Sequence, residues 1–153
     1  MLAWRIAKEK YALDRAGTGA RIAGGRWNSE GIAVIYAGLS VAITAFEKLV
    51  HTGNPLPDDL VLVEIKLPDD SALYQTLNRN SLPKGWSAMP SSIEAARLGD
   101  QFVEAGQHMG LIVPSVIIPE NQNIVINPQH PRFSEITFEI LRPFTFDHRV
   151  RPE

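Results

Sequence analysis

Residues 32–51 read IAVIYAGLSVAITAFEKLVH, and the stretch changes period in its middle. Ile32 to Ala37 is a short, almost unbroken apolar run, the length and composition of a strand. Ser40 then stands where a helix N-cap would. Beyond it Ala42, Ala45, Phe46 and Leu49 recur at helical spacing, with Ile43 and Val50 widening the apolar stripe on one side. Gly53 closes the helix. A buried strand that turns directly into an amphipathic helix implies a sheet with helices packed on it.

Toward the N-terminus, Gly17 to Gly31 (GTGARIAGGRWNSEG) is polar and rich in glycine. It reads as a loop or hairpin with several unusual backbone angles. Toward the C-terminus, Leu60 to Leu67 (LVLVEIKL) alternates as a strand should. Val61, Val63, Ile65 and Leu67 share one face, with Glu64 and Lys66 on the other. Ser91 to Glu94 has the form of a capping box and opens a helix expected to end near Gly110. Leu111 to Ile118 reads as a strand interrupted by Pro114, which implies an edge or a bulge. Asn123 to Ile126 and Ile136 to Leu141 are two more strands, the latter continued by Phe144 and Phe146. Six short strands and two longer helices that do not alternate regularly disfavour a doubly wound parallel sheet. The expected class is α+β, a single domain over residues 1–153 with a mixed, strongly bent sheet and packed helices.

Bulk properties narrow the function. A chain of 153 residues with 44% hydrophobic residues can bury one sizeable core. The net charge of -2 argues against binding nucleic acid by phosphate neutralisation. The absence of cysteine rules out disulfides, thiolate catalysis and cysteine-ligated metals. His51, His108, His130 and His148 lack metal-ligand spacing, so no metal is expected. No apolar run reaches membrane length, and residues 1–16 lack the apolar run of a signal peptide; the expected location is the cytoplasm. GTGARIAGG fits neither the dinucleotide fingerprint nor the P-loop.

Several residues could carry chemistry, each with a plainer alternative. Arg26, in GGRWN, could clamp a phosphate or carboxylate with its planar fork, or could be a surface arginine beside a turn. Tyr36 could stack on a flat ring, or send its hydroxyl to the surface from a strand end. Glu47 borders the apolar arc of its helix, between Ile43 and Val50. There it could stabilise positive charge developing on a sugar, or simply be solvated beside Lys48 or His51. Ser115 could contact a ligand or bond to backbone at a bulge. No G-x-S-x-G surrounds it, so a serine nucleophile is not expected.

In this order the segments resemble the RES domain family, named for an Arg, a Glu and a Ser. The resemblance rests on GTGARIAGGRWNSEG at 17–31, VIYAGLSVAITAFEKLVH at 34–51, VPSVIIPENQNIVINPQHP at 113–131 and WR at 4–5. It implies an ADP-ribosyltransferase-like fold and consumption of NAD⁺, by hydrolysis, phosphorolysis or ADP-ribosylation of a protein. Arg5 and Arg26 would hold the phosphates or ribose, and Tyr36 would stack near the nicotinamide. Glu47 would be the principal catalytic carboxylate, and Ser115 would line the same pocket. Asn123 and Asn127 also fall on the motif and would brace the loop rather than react, with Asn123 counted among the substrate-binding residues. NAD⁺ would be the substrate, with no cofactor. The partner would be an Xre-type helix-turn-helix antitoxin, which would carry the DNA binding, and a homodimer could sit within the toxin–antitoxin assembly. The expected function is therefore the toxin of a type II toxin–antitoxin pair that cleaves the nicotinamide–ribose bond. The rivals are a mono-ADP-ribosyltransferase with a specific protein target, a non-catalytic nucleotide-binding module and, weakest, a nuclease.

Overall fold

Residues 2–8, LAWRIAK, alternate along a strand that joins the two halves of the sheet. Ala3 and Arg5 point to one side and Trp4 and Ile6 to the other. The structure, a computed structural model, describes residues 1–151; the last two residues of the expected 1–153 domain lie outside the described residues. Seven strands form one sheet: β1 (Leu2–Lys8), β2 (Ile35–Gly38), β3 (Leu60–Lys66), β4 (Tyr74–Thr76), β5 (Gly110–Pro114), β6 (Gln122–Ile126) and β7 (Thr137–Pro143). Their order is β4-β5-β6-β2-β1-β3-β7. Only β4 and β5 pair in parallel, so the sheet is mixed. Three helices accompany it: α1 (Thr18–Ala23), α2 (Val41–Val50) and α3 (Ile93–Ala105). The single-domain α+β class is as expected; β1, β4 and α1 are elements beyond those read from the sequence.

One joint in the sheet is weak. β1 pairs with β3 along its whole length, from Leu2–Lys66 to Lys8–Leu60. It meets β2 at one register pair, Trp4–Gly38. Beyond that pair the two half-sheets are no longer laddered together, and space opens between them on one face.

The two faces are buried differently. Ala3, Ile35, Ala37, Val61, Val63, Ile65, Ile124 and Ile126 form one continuous core on the face away from α2 and α3, capped by loop residues such as Ala12, Leu73 and Ile136. The opposite face carries two separate clusters. One gathers Leu111, Val113 and Val125 under α3, through Ala95 and Phe102, together with Trp27 and Val34. The other gathers Ile6, Leu60 and Leu62 under Val41 and Ala45 of α2. Two glycines let the helices approach. A Cβ on Gly38 would meet Thr44 Oγ1 at 2.2 Å, and a Cβ on Gly99 would meet the Trp27 carbonyl oxygen at 1.6 Å.

Four expectations need correction. Residues 18–23 form a short helix rather than a loop, entered through Gly17 at φ 66°. The capping box is not made: Ser92 is the N-cap of α3 and makes no side-chain cap bond, and the helix ends at Gly106 in the left-handed region. Pro114 ends β5 rather than interrupting a strand that runs to Ile118: Pro114 pairs with β6 alone, beyond the β4 ladder that stops at Ile112, and residues 115–118 turn away. The inward face of α2 is also rotated. Ile43 and Thr44 are buried, whereas Phe46 and Val50 are about half exposed. Ser40 does cap α2, accepting from the Ile43 amide at 3.1 Å, worth about 1 kcal/mol.

Candidate active site

The opening between the half-sheets is a cavity of about 570 Å³, within the size range of small-ligand pockets. α2 forms one wall with Thr44, Glu47, Lys48 and His51, a helical face at spacings of three and four residues. Gly24, Gly25, Arg26 and Trp27 form another, and Trp4, Tyr36, Gly38 and Asn123 supply the sheet side. The rotation of α2 follows from this arrangement: its polar face looks into the cavity, so the apolar stripe cannot be centred on Phe46.

Glu47 is held firmly. Its Oε1 accepts from the Ser115 hydroxyl at 2.8 Å and from Asn123 Nδ2 at 2.8 Å. Its Oε2 has no hydrogen-bond partner among the described residues. Ser115 is fully buried, and its Oγ also accepts from the amides of Ile117 and Ile118 at 3.1 and 3.3 Å. The turn after Pro114 thus fixes the hydroxyl, and the hydroxyl fixes the carboxylate. Ser115 itself does not reach the cavity wall, which runs through its neighbours Pro114 and Val116. The expectation that Ser115 lines the pocket is corrected in that respect: it acts behind Glu47.

Arg26 is held by backbone. Its Nη1 donates to the carbonyls of Trp86 and Ala88 at 2.8 and 3.0 Å, and its Nη2 lies 3.0 Å from the Met89 sulfur. Burial lowers its pKa, and the nearby charge of Glu47 opposes that shift. Trp27 is buried and packs against Trp86 with ring centroids 6.1 Å apart.

Tyr36 lines the cavity beside the Arg26 loop. Its hydroxyl donates to Asn28 Oδ1 at 2.6 Å and accepts from the Trp27 amide at 3.0 Å. Burial pushes its pKa well above that of an ordinary phenol, so the ring is neutral in the working range. Asn28, almost fully buried, also donates to the carbonyls of Ala20 and Ile32 at 2.9 Å each. It ties α1, the GGRWN loop and Tyr36 together. Nothing in GGRWN alone shows this role; a lone asparagine beside a tryptophan in a glycine-rich loop is the sequence signal that points to it.

Arg5 belongs to the same cavity lining, but from the other face of the sheet. Its register partner is Val63, on the face away from α2, whereas Tyr36 and Asn123 lie on the α2 side. It borders the cavity, but its Nη2 donates to the carbonyls of Ala12 and Asp14, and its guanidinium lies 5.3 Å from the Phe138 ring centre. Asn127 is buried in the loop after β6, where its Oδ1 accepts from the Gln129 amide at 2.9 Å. Among the described residues no group of three or more His, Asp or Glu is arranged to hold a metal, and no helix is long and apolar enough to cross a membrane.

Residues 2–147 match the RES domain family. The chain belongs to that family. The RES chain is 39% identical over 152 residues to the Prs ADP-ribosylating toxin of Sphingobium sp. (strain YBL2), covering 96% of this chain and 94% of that one. It is 35% identical to a protein named Toxin Res from Pseudomonas putida, covering 98% and 99%, and 32% identical to another Toxin Res from Photorhabdus laumondii, covering 98% and 97%. The RES chain is thus similar over its length to toxins. Its fold is similar to that in the crystal structure of the M. tuberculosis MbcT–MbcA toxin–antitoxin complex, with a TM-score of 0.69 at 19% identity, covering 93% of this chain and 84% of that one.

Proposed function

We propose that this RES toxin cleaves the nicotinamide–ribose bond of NAD⁺. The observation that carries the reading is the Glu47 carboxylate, anchored through one oxygen by Ser115 and Asn123 and lining a cavity that also holds an arginine fork and a tyrosine ring. Nicotinamide leaves readily because its ring nitrogen is already positive. As the C1′–N bond breaks, its electron pair goes to the ring and positive charge grows on the ribose. A carboxylate fixed in advance stabilises that charge without reorganising. Arg26 would hold the diphosphate with its fork, after exchanging the carbonyls of Trp86 and Ala88 for phosphate oxygens. Tyr36, neutral and fixed by Asn28, would offer its ring to the nicotinamide. The chemistry needs no metal and no covalent nucleophile, and binding supplies the orientation.

Hydrolysis or phosphorolysis would make the protein an NAD⁺-consuming enzyme. Transfer to a protein would make it a mono-ADP-ribosyltransferase, a reading favoured by the name of the Sphingobium relative. An antitoxin partner, with an Xre-type helix-turn-helix domain, would block the cavity mouth; the toxin–antitoxin complex of similar fold supports a partner of this kind. The purified chain should be incubated with NAD⁺, with and without phosphate, and the products resolved by mass. Release of nicotinamide establishes the bond broken, and the mass of the ADP-ribosyl product names the acceptor. If NAD⁺ survives, label from NAD⁺ appearing on a protein in cell extract supports transfer. No label there leaves the chain a binding module and removes the enzymatic reading.

A further inference from the structure

α2 presents four polar residues to the cavity, and the proposed reaction uses one of them. Lys48 is half-buried, follows Glu47 directly, and lies on the cavity wall with His51. Among the described residues it makes no ion pair within 4.0 Å and no side-chain hydrogen bond. Burial lowers its pKa; Lys8 adds to that shift and Asp59 opposes it. A half-buried ammonium without a partner is costly unless something it binds repays the desolvation.

The plainer explanation is that Lys48 complements the dipole at the end of α2. That task is already filled. Arg151 donates from Nη2 to the Leu49 carbonyl at 2.7 Å and from Nη1 to the carbonyls of Thr52 and Gly53 at 2.7 and 3.3 Å. His51 engages the Glu47 carbonyl through Nδ1 at 2.7 Å, which leaves Nε2 free of that contact. Glu47 reaches Ser115 and Asn123 on β5 and β6, and Lys48 shares neither contact. The cavity therefore has a cation in its glycine-loop wall, Arg26, and another next to Glu47 in its α2 wall, Lys48.

We infer that Lys48, with His51, forms a second phosphoryl-anion subsite of this cavity, separate from Arg26. The inference rests on the reading of the cavity as a nucleotide site. The phosphoryl group could be part of the dinucleotide or a free phosphate ion; the chemistry recognised is the same, an oxyanion paired with the Lys48 ammonium and with the Nε2–H of an imidazolium at His51, whose Nδ1–H is already given to the Glu47 carbonyl.

The test is calorimetric titration of the full chain with inorganic diphosphate, inorganic phosphate and NAD⁺, comparing wild type, Lys48→Gln and Lys48→Arg. NAD⁺ is titrated in a Glu47→Gln background so that it is not consumed. Lys48→Gln weakens diphosphate binding by about tenfold, the effect of one lost charge-assisted hydrogen bond, and Lys48→Arg restores most of it. A parallel loss for NAD⁺ assigns the subsite to the dinucleotide. A loss for inorganic phosphate with NAD⁺ unchanged assigns it to the free ion. Should Lys48→Gln fail to fold, His51→Gln probes the same subsite. Unchanged affinity for all three ligands overturns the inference. The two readings fail separately: Lys48-dependent diphosphate binding by a wild type that ignores NAD⁺ removes the proposed reaction and keeps the subsite. Cleavage of NAD⁺ with anion binding indifferent to Lys48 does the reverse.

Discussion

Glu47 and Arg26 line the same cavity and are held in opposite ways. Glu47 is fixed by two side chains, one at the end of β5 and one on β6, and the Ser115 hydroxyl is itself fixed by two amides. Arg26 is fixed by carbonyl oxygens of residues 86 and 88, in a segment between β4 and α3 that contains only turns and one short 3-10 element. The carboxylate is therefore in place before any ligand arrives. The guanidinium must trade contacts it already has, and its contribution to binding is reduced by what it gives up. The carboxylate proposed to meet developing charge stands on α2 and is braced against the sheet, and the arginine proposed to grip a ligand is held by a loop.

Breaking the Glu47 anchor should give the largest effect. Ser115→Ala combined with Asn123→Ala should lower kcat for NAD⁺ cleavage by about 10²-fold, with KM moving much less. A KM rise with kcat preserved, measured by steady-state kinetics, would mean that these residues bind substrate instead. Arg26→Ala should raise the Kd for NAD⁺ by about tenfold, and Arg26→Lys by less, because the lysine keeps the charge and loses the fork. Titration in the Glu47→Gln background reads both; equal, negligible changes would show that Arg26 stays on its loop carbonyls. Ser115→Ala alone should cost kcat about fivefold to tenfold, since Asn123 still holds the same oxygen. The smallest effect concerns Tyr36, which lines the same cavity. Its raised pKa means that its contribution to stability is full below an unfolded-state pKa of about 10 and is lost as pH rises toward the folded-state value. Urea midpoints should fall above pH 10 more steeply in the wild type than in Tyr36→Phe. The substitution itself should cost about 1 kcal/mol at neutral pH for its lost hydrogen bonds.

Much of this arrangement was legible in the sequence, for stateable reasons. The Ser40 cap, the alternation of Leu60 to Leu67 and the helix after Ser91 rest on local chemistry, and each is found. Glu47 could be singled out because it borders an apolar arc. β1 was missed because Arg5 and Lys8 interrupt LAWRIAK, and its central place depends on pairing with β3, far away in sequence. α1 was missed because Gly17, Gly19 and Gly24 within and around it signal a loop. The stripe of α2 was misplaced because a helix roofing a cavity turns Thr44, Glu47, Lys48 and His51 inward, which inverts the usual relation between polarity and burial. The position of Ser115 behind Glu47, and of Arg5 on the other face, are register effects that a single sequence does not encode locally.

The measurement that tests the central claim most directly is nicotinamide release from NAD⁺ by the wild-type chain and by Glu47→Gln, side by side, with circular dichroism showing both equally folded. The account predicts release by the wild type and a loss of at least about 10²-fold in the variant. Equal rates from the two proteins would contradict it and take Glu47 out of the reaction.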